Sequence, residues 1–210
     1  MGHPARRIFN RNTTMKFWKP VLLLTSISLL AACVSTPKNP NPRADVPVKL
    51  ATIDDLPRYM GKWYVIAEIP WFGEKGYVGN QSLWKLRSDG KIEDNFYGHK
   101  ESLDAPVTHH QFIDTVVPNT GNAHWRVKLF WPVTVSQLTL YVDPEYRYTL
   151  LGNEEKKWGW IMSRENTMDQ ATYDDLIGRF DAIGYDTSRF MRVVQKAEQM
   201  GKPGYMTPEK

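Results

Sequence analysis

Short β-type segments separated by tight turns fill most of this chain, and they constrain its fold more than any other feature. Alternating or β-branched stretches end at strong turn signals such as Ser88-Asp89-Gly90 and Pro118-Asn119-Thr120-Gly121. Successive strands without helices between them favour an antiparallel meander, and closing the meander into a barrel removes its edges. The predicted strands after residue 70 are 80–86, 92–98, 111–117, 125–131, 137–142, 146–151 and 158–163.

The first strand opens with Gly61-Lys62-Trp63-Tyr64. A glycine before a run of aromatic and β-branched residues predicts a tight backbone turn, followed by a large aromatic side chain buried at the start of the strand. An ordinary core tryptophan is the alternative, because Gly-x-Trp also occurs in unrelated β proteins. Upstream, Asp54 or Asp55 as N-cap and Pro57 in the first turn predict a short helical turn.

One amphipathic helix is predicted after the last of these strands. It begins with Thr167 as N-cap and Gln170 in the capping-box position, and it ends at Gly184. Its apolar side chains recur every three or four residues, so they would pack on the outside of the barrel. That stripe consists of Tyr173, Leu176, Ile177, Phe180 and Ile183. After a short extended segment at 190–194, we expect residues 196–210 to form a disordered tail.

The charge distribution argues against a nucleic-acid partner. The formal net charge is +4, but residues 1–32 hold five of the 27 cations and none of the 23 acids. The remainder therefore has 22 cations against 23 acids, and the basic excess belongs to the N-terminal segment alone.

That N-terminal segment has the pattern of a signal peptide, predicted over residues 1–32, with the start of translation open between Met1 and Met15. A charged stretch precedes an apolar run at 21–30 that is shorter than the about 20 residues of a membrane span. Leu30-Ala31-Ala32-Cys33 resembles the lipobox of bacterial lipoproteins, in which the cysteine is acylated and becomes the mature N-terminus. A plain secretory signal with a chance cysteine is the alternative.

Residues 33–50 are predicted to be the acylated N-terminus and a flexible tether, because residues 35–43 hold three prolines and no apolar period. Acyl chains on Cys33 would anchor the protein to a membrane. Val34, rather than aspartate, follows the cysteine. By resemblance to Gram-negative lipoprotein sorting, this favours the periplasmic face of the outer membrane.

Three motifs together resemble the signature regions of the lipocalin family. They are Gly61-x-Trp63-Tyr64 on the first strand, Asp143-Pro144-Glu145-Tyr146 at a late turn, and Trp160-Ile161-Met162-Ser163-Arg164 at the end of the last strand. With the lipobox added, residues 51–195 resemble the bacterial lipocalins, which are outer-membrane lipoproteins of Gram-negative bacteria.

This resemblance implies an all-β fold, an eight-stranded antiparallel up-and-down barrel with one C-terminal α-helix packed outside. It also implies that Arg164 lies across the indole of Trp63 at the closed end of the barrel. Gly61, Trp63, Tyr146 and Arg164 would then be structural residues, and function would reside at the other end.

The interior of such a barrel is the predicted ligand site, and by resemblance its ligand is a fatty acid or a lysophospholipid. Inward strand faces would present Trp84, Ile92, Asp94, Phe96, Val127, Leu129, Tyr141, Tyr148 and Trp160. Core packing is the alternative for each aromatic residue, and a β-bulge would turn part of this set outward. Asp94 is the odd member, because a buried carboxylate costs free energy unless it is paired. It would anchor a ligand head group through a cation or water.

The sequence contains no constellation that indicates catalysis, a cofactor or a metal site. The histidines outside the leader are His99, His109, His110 and His124, and they lack metal-ligand spacing. His109 and His110 would point to opposite faces of a strand and are interpreted as solvated.

The leading hypothesis is therefore a membrane-anchored protein, not an enzyme, that binds, stores or transports fatty acids or lysophospholipids in the cell envelope. An envelope-maintenance or interaction protein with a vestigial cavity, and an enzyme built on the same barrel, are the alternatives. Association into a homodimer stays open.

Overall fold

The computed structural model describes residues 39–71 and 73–206. The predicted signal peptide and the predicted acylation site Cys33 lie outside these residues. Within them, no helix combines the length and apolar character needed to cross a bilayer. The elements are α1 (Leu56–Tyr59), β1 (Gly61–Ile69), β2 (Tyr77–Leu86), β3 (Ile92–Lys100), β4 (Val107–Val116), β5 (His124–Phe130), β6 (Val133–Val142), β7 (Tyr148–Gly152), β8 (Gly159–Ser163), α2 (Gln170–Ala182) and β9 (Met191–Arg192).

Strands β1 to β8 form a closed antiparallel barrel, as predicted. Each strand pairs with the next along the chain, and β1 pairs with both β2 and β8. Gly61 lies opposite Trp84 on one side of β1, and Tyr64 lies opposite Ser163 on the other. Closure satisfies the backbone groups that an open sheet would leave at its edges. The short strand β9 adds to the second half of β1.

One end of the barrel is closed by α1 and a cluster of aromatic rings. The carboxylate of Asp55 caps α1 by accepting a hydrogen bond from the Arg58 backbone N–H at 2.9 Å, so the predicted helical turn is confirmed. Tyr59, the last residue of this helix, is fully buried at this end of the barrel. There its ring lies 5.3–6.0 Å from three fully buried indole rings, those of Trp63, Trp84 and Trp125.

Arg164 covers this aromatic cluster from outside. Its guanidinium carbon lies 3.8 Å from the ring centroid of Trp63, which is the contact that the resemblance implied. Gly61 passes directly beside the guanidinium with a φ of +94°, a conformation that disfavours a side chain at this position. Arg164 also donates hydrogen bonds of 2.7–3.3 Å to the carbonyl oxygens of Arg58, Tyr59, Lys62 and Tyr146.

Helix α2 packs on the outer face of the barrel through the predicted stripe. Leu176 and Phe180 are buried in a second core cluster that includes residues of β1, β7 and β8. The helix begins two residues later than predicted. Its N-cap is Asp169, whose carboxylate accepts hydrogen bonds from both the backbone N–H and the hydroxyl of Thr172, so Asp169 takes the role assigned to Thr167.

The prediction of a disordered tail from residue 196 is wrong for residues 196–206. Gly201 and Gly204, both with positive φ, turn the chain back toward β9. The Arg192 N–H then donates to the Gly204 carbonyl, and the Met206 N–H donates to the Arg192 carbonyl. Met206 is buried as a result. Residues 207–210 lie outside the described residues.

The prediction of a flexible tether is wrong for residues 39–46. The amide of Asn41 donates hydrogen bonds to the carbonyl oxygens of Asp181 and Tyr185, at the end of α2. The ammonium group of Lys156 donates to the carbonyl oxygens of Arg43, Ala44 and Val46. This segment is fixed because its own Asn41 side chain binds the end of α2 and because the Lys156 side chain satisfies three of its backbone carbonyl groups.

We expect Arg164→Lys to lower the free energy of unfolding by about 2 kcal/mol. Lysine retains the charge but loses the planar group that stacks on Trp63 and reaches four carbonyl oxygens. Urea denaturation followed by circular dichroism measures the loss. The control is Arg87→Lys in the exposed β2–β3 turn, which should stay within about 0.5 kcal/mol of the parent. Equal stability of the two variants would refute this role of Arg164.

Candidate ligand-binding cavity

The barrel encloses a cavity of about 330 Å³ that reaches the surface at the end opposite α1. Its floor is the closed-end aromatic cluster, represented by Trp84. Its mouth includes Phe130 and Val133, which flank the β5–β6 turn and are partly exposed. A sealed floor and an open mouth give the interior a single direction of access among the described residues.

Six of the nine residues predicted to bind ligand line this cavity. They are Trp84, Asp94, Phe96, Val127, Leu129 and Trp160. Strand alternation places them inward, and β3 pairs with β4 without a register shift from Ile92 to His99. Their contact with a ligand stays a prediction.

The prediction that Ile92 lines the cavity is wrong. Its side chain points inward as expected, but it is fully buried in the closed-end cluster with Trp84 and Trp125, where the barrel is filled by side chains.

The assignment of Tyr141 and Tyr148 to the interior is also wrong, because both pack on the outer cluster beneath α2. The register of β6 shifts between Thr139 and Tyr141, so Leu140 and Tyr141 both turn outward. On β7 the inward position belongs to Thr149, whose hydroxyl is 2.9 Å from the hydroxyl of Tyr59.

Glu74 lines the cavity from the turn between β1 and β2. The indole N–H of Trp160 donates a hydrogen bond of 2.9 Å to its carboxylate, and Trp71 also hydrogen-bonds it. Burial nevertheless raises the pKa of the Glu74 carboxyl to about 7, and the negative charge of Asp94 adds to this rise while the two indole groups oppose it.

Asp94 is the second carboxyl group on the cavity wall, and it is 7% exposed. Burial raises its pKa to about 7, although Trp84 and Ser82 favour the ionised form. Neither neighbour completes a hydrogen bond to its Oδ1 atom, which has no partner among the described residues.

Two further acids lie fully buried next to this pair. Burial raises the pKa of Asp114 to about 9, and the charge of Asp94 adds to the rise. Burial also raises the pKa of Glu68 well above its ordinary value, with a contribution from the charge of Glu74. Asn80 opposes this shift of Glu68 without forming a hydrogen bond to its carboxyl oxygens.

Sequence reasoning missed three of these four acids. Glu68 sits in an apolar run, and strict alternation from Trp63 would place it outside. The register of β1 shifts between Val65 and Ala67, which turns Glu68 inward. Asp114 has the same alternation as the inward-pointing residues of β4, so strand alternation alone could have predicted that it points inward. Glu74 lies in a turn, where no periodicity applies.

The two histidines point to opposite faces of β4 and are both exposed, as predicted. His109 is stacked on Tyr97 and hydrogen-bonded to Asn95 outside the barrel. His110 lines the cavity near the mouth while remaining exposed. The described residues contain no group of three or more His, Cys, Asp or Glu side chains arranged to hold a metal ion.

A family model for the lipocalin-like domain matches residues 53–195, which is more than half of the chain. The chain belongs to the lipocalin family. The matched region contains every barrel strand, α2 and β9 of this lipocalin.

Several curated relatives match this lipocalin over most of its length. Outer membrane lipoprotein Blc of Vibrio cholerae is 26% identical over 176 residues, which are 83% of this chain and 97% of the relative. The protein of the same name from Escherichia coli K12 is 26% identical over 182 residues, 86% and 98% of the two chains. Temperature-induced lipocalin-1 of Arabidopsis thaliana is 29% identical over 153 residues, 67% and 79%.

Solved structures of two animal proteins share the fold. Insecticyanin from Manduca sexta superposes with a TM-score of 0.58 at 18% identity, covering 72% of this chain and 86% of that chain. Lobster apocrustacyanin A1 gives a TM-score of 0.55 at 17% identity, covering 73% and 92%. At these identities the likeness concerns the fold alone.

The stability of this lipocalin should fall as the pH rises from 5 to 9. The buried carboxyl groups have folded-state pKa values raised above their unfolded values of about 4. Their contribution is therefore fully present below pH 4 and is lost as the pH passes through about 7 for Glu74 and Asp94 and about 9 for Asp114. Thermal unfolding across this range measures the fall.

Asp114→Asn should flatten that slope by up to about 1.4 kcal/mol per pH unit, because asparagine fills the same space and does not ionise. The matched control is Asp104→Asn, which removes an exposed aspartate from the β3–β4 loop. A slope that is the same in both variants would show that the buried carboxyl groups do not govern the pH dependence.

Proposed function

We propose that this lipocalin is a membrane-anchored, non-enzymatic carrier that holds one fatty acid or lysophospholipid molecule in its barrel cavity. The observation that carries the proposal is the cavity itself, with an apolar wall and a mouth on the side opposite the sealed floor. Ligand pockets in proteins span about 300–1,000 Å³, and the cavity lies at the lower end of that range. A single alkyl chain suits this volume better than a lipid with two chains.

The apolar wall supplies the favourable free energy of binding. It consists of strands β5 and β6, where Val127, Leu129 and Val135 point inward. Burying apolar ligand surface there stabilises the complex by about 25 cal/mol per Å². A vestigial interior would instead be filled by side chains, as it is around Ile92.

Exposed apolar residues at the mouth support uptake from a lipid surface. Trp131 at the tip of the β5–β6 turn is 82% exposed, and Phe130 beside it is 61% exposed. Exposed large apolar side chains that cluster are typical of contact with a membrane or a partner.

The proposed location is the periplasmic face of the outer membrane, reached through acylation of Cys33. The lipobox pattern supports it, and so does the similarity to two relatives that are outer membrane lipoproteins, the Blc proteins of Vibrio cholerae and Escherichia coli.

Blocking the cavity should weaken ligand binding without unfolding the barrel. Val135→Trp places an indole in the cavity from a position near the mouth that is only partly buried. We expect ligand affinity to fall about tenfold or more, because the alkyl chain of the ligand and the new indole compete for the same volume. Native mass spectrometry with lipid extraction, and tryptophan fluorescence on adding lipid, measure occupancy and affinity.

The control is Thr134→Trp, which adds the same ring at the neighbouring exposed position. Unchanged binding in Thr134→Trp and loss in Val135→Trp support the proposal. A parent protein that purifies empty and binds no added lipid would contradict it.

Cys33→Ser should move the protein from the membrane fraction to the soluble periplasmic fraction when it is expressed in a Gram-negative bacterium. Serine cannot accept the acyl chains that supply the anchor. Fractionation with an antibody measures the shift, and Ser35→Ala is the control that should remain with the membrane. Membrane retention of Cys33→Ser equal to that of the control would rule out this anchor.

A further inference from the structure

The cavity has two chemically different walls. The two carboxyl groups that line it, those of Glu74 and Asp94, lie on β3 and on the turn between β1 and β2, whereas the side formed by β5 and β6 is mainly apolar and also carries Ser136 and Gln137. Glu74 and Asp94 line the cavity directly. The negative charge of Glu74 raises the pKa of Glu68, and that of Asp94 raises the pKa values of Glu74 and Asp114. The four acids therefore form one electrostatically interacting group.

Five carboxyl oxygens of this group lack a hydrogen-bond partner among the described residues. They belong to Glu68, Asp94 and Asp114, which are 0%, 7% and 0% exposed. An unpaired buried carboxyl group costs free energy, and buried polar atoms are normally hydrogen-bonded. Asp94 is the member that both lines the cavity and has an unpaired oxygen, so a molecule in the cavity can reach it.

The aromatic side chains of this cavity favour a positive ligand. Four of its lining residues are tryptophans, namely Trp71, Trp84, Trp158 and Trp160. Indole faces attract cations, and aromatic cages are a recurrent means of holding organic ammonium groups. No lysine or arginine is among the described residues that line the cavity, and the exposed His110 near the mouth is the single lining residue there that can become a cation.

We propose that the cavity selects single-chain amphiphiles whose polar group is an organic ammonium, held beside Glu74 and Asp94 while the alkyl chain packs on the β5–β6 wall. This inference rests on the proposed carrier function and narrows its ligand class. An ammonium group supplies the partner that the carboxyl oxygens lack. The ionised carboxylate of a fatty acid would meet like charges at the same place, so fatty acids would enter mainly in their protonated form.

The test uses three ligands with one alkyl chain and different charge: decylammonium, decanol and decanoate. The protein is the full chain with Cys33→Ser, delipidated and free of detergent. Calorimetry at pH 7.5 should show decylammonium binding about tenfold or more tightly than decanol, and decanoate binding more weakly than decanol.

The same titrations report proton movement when they are repeated in buffers of different ionisation enthalpy. Because Glu74 and Asp94 have pKa values of about 7, part of their population is protonated near neutral pH. A cation lowers these pKa values, so decylammonium should release protons, whereas decanoate should take them up.

Two variants locate the selectivity. Asp94→Asn and Glu74→Gln should each reduce the ratio of decylammonium affinity to decanol affinity about tenfold. The control is Glu93→Gln, next to Asp94 on β3 but on the outer face, where it pairs with Lys85. This control should keep the full preference.

The outcomes separate the two proposals. Decanoate binding as tight as decylammonium binding, or a preference that survives in both variants, overturns the ammonium site and leaves the carrier intact. Failure of all three decyl compounds to bind overturns both.

A second pair of ligands identifies the source of the ammonium group. Lysophosphatidylcholine and lysophosphatidylglycerol with the same acyl chain differ in the charge of their head groups. Tighter binding of the choline lipid supports an ammonium carried by a lysophospholipid, and equal binding with a retained decylammonium preference supports a simple alkyl amine. Tighter binding of the glycerol lipid overturns the site.

Discussion

The contact between the guanidinium of Arg164 and the indole of Trp63 is the interaction on which the rest of this structure depends. Arg164 follows the last barrel strand and Trp63 lies in the first, so their contact joins the two ends of the strand order. The carbonyl oxygens that Arg164 also binds belong to α1, to the start of β1 and to the β6–β7 turn. One side chain thereby fixes the closed end, and the opposite end becomes the place where a molecule can enter.

The interior of the barrel is tightly packed at its closed end, and above that end it contains buried carboxyl groups that cost electrostatic free energy. Tyr59, Trp63, Trp84 and Trp125 fill the floor in mutual ring contact, which contributes a large part of the apolar burial. Just above them, Asp94 and Asp114 hold buried carboxyl groups that apolar residues of similar size would replace at a gain in stability. Proteins commonly tolerate such a cost where a binding site requires it. The free energy gained by burying the aromatic floor thus offsets the free energy that the buried carboxyl groups cost.

Much of the fold was readable from the sequence because strands, hairpin turns and the helical stripe are set by local periodicity. The interior was only partly readable. Register shifts in β1, at Val65/Ala67, and in β6, at Thr139/Tyr141, reverse which side chains of the strand point inward after the shift. No residue type in the sequence indicates where such a shift occurs. On β7 the covering helix makes the outer face apolar as well, so Tyr148 could not be placed by alternation.

Long-range hydrogen bonds account for the other differences. Residues 39–46 and 196–206 have the composition of linkers. The first segment is ordered by hydrogen bonds to partners far away in the chain, and the second folds back onto Arg192 and buries Met206 in the core. The composition of a segment does not report the contacts that it makes with the rest of the protein, and those contacts order these two segments.

The docking of residues 39–46 has a mechanical consequence. Lys156 belongs to the β7–β8 hairpin, whose Trp158 and Trp160 reach the cavity, so the chain that precedes the barrel is fastened beside the mouth rather than at the sealed floor. Residues 47–53 then run along the barrel to the closed end, where Ile53 is buried. Tension applied through the upstream chain would first load the hydrogen bonds from Asn39 and Asn41 to the end of α2, and then those from the ammonium of Lys156, close to the opening through which cargo passes.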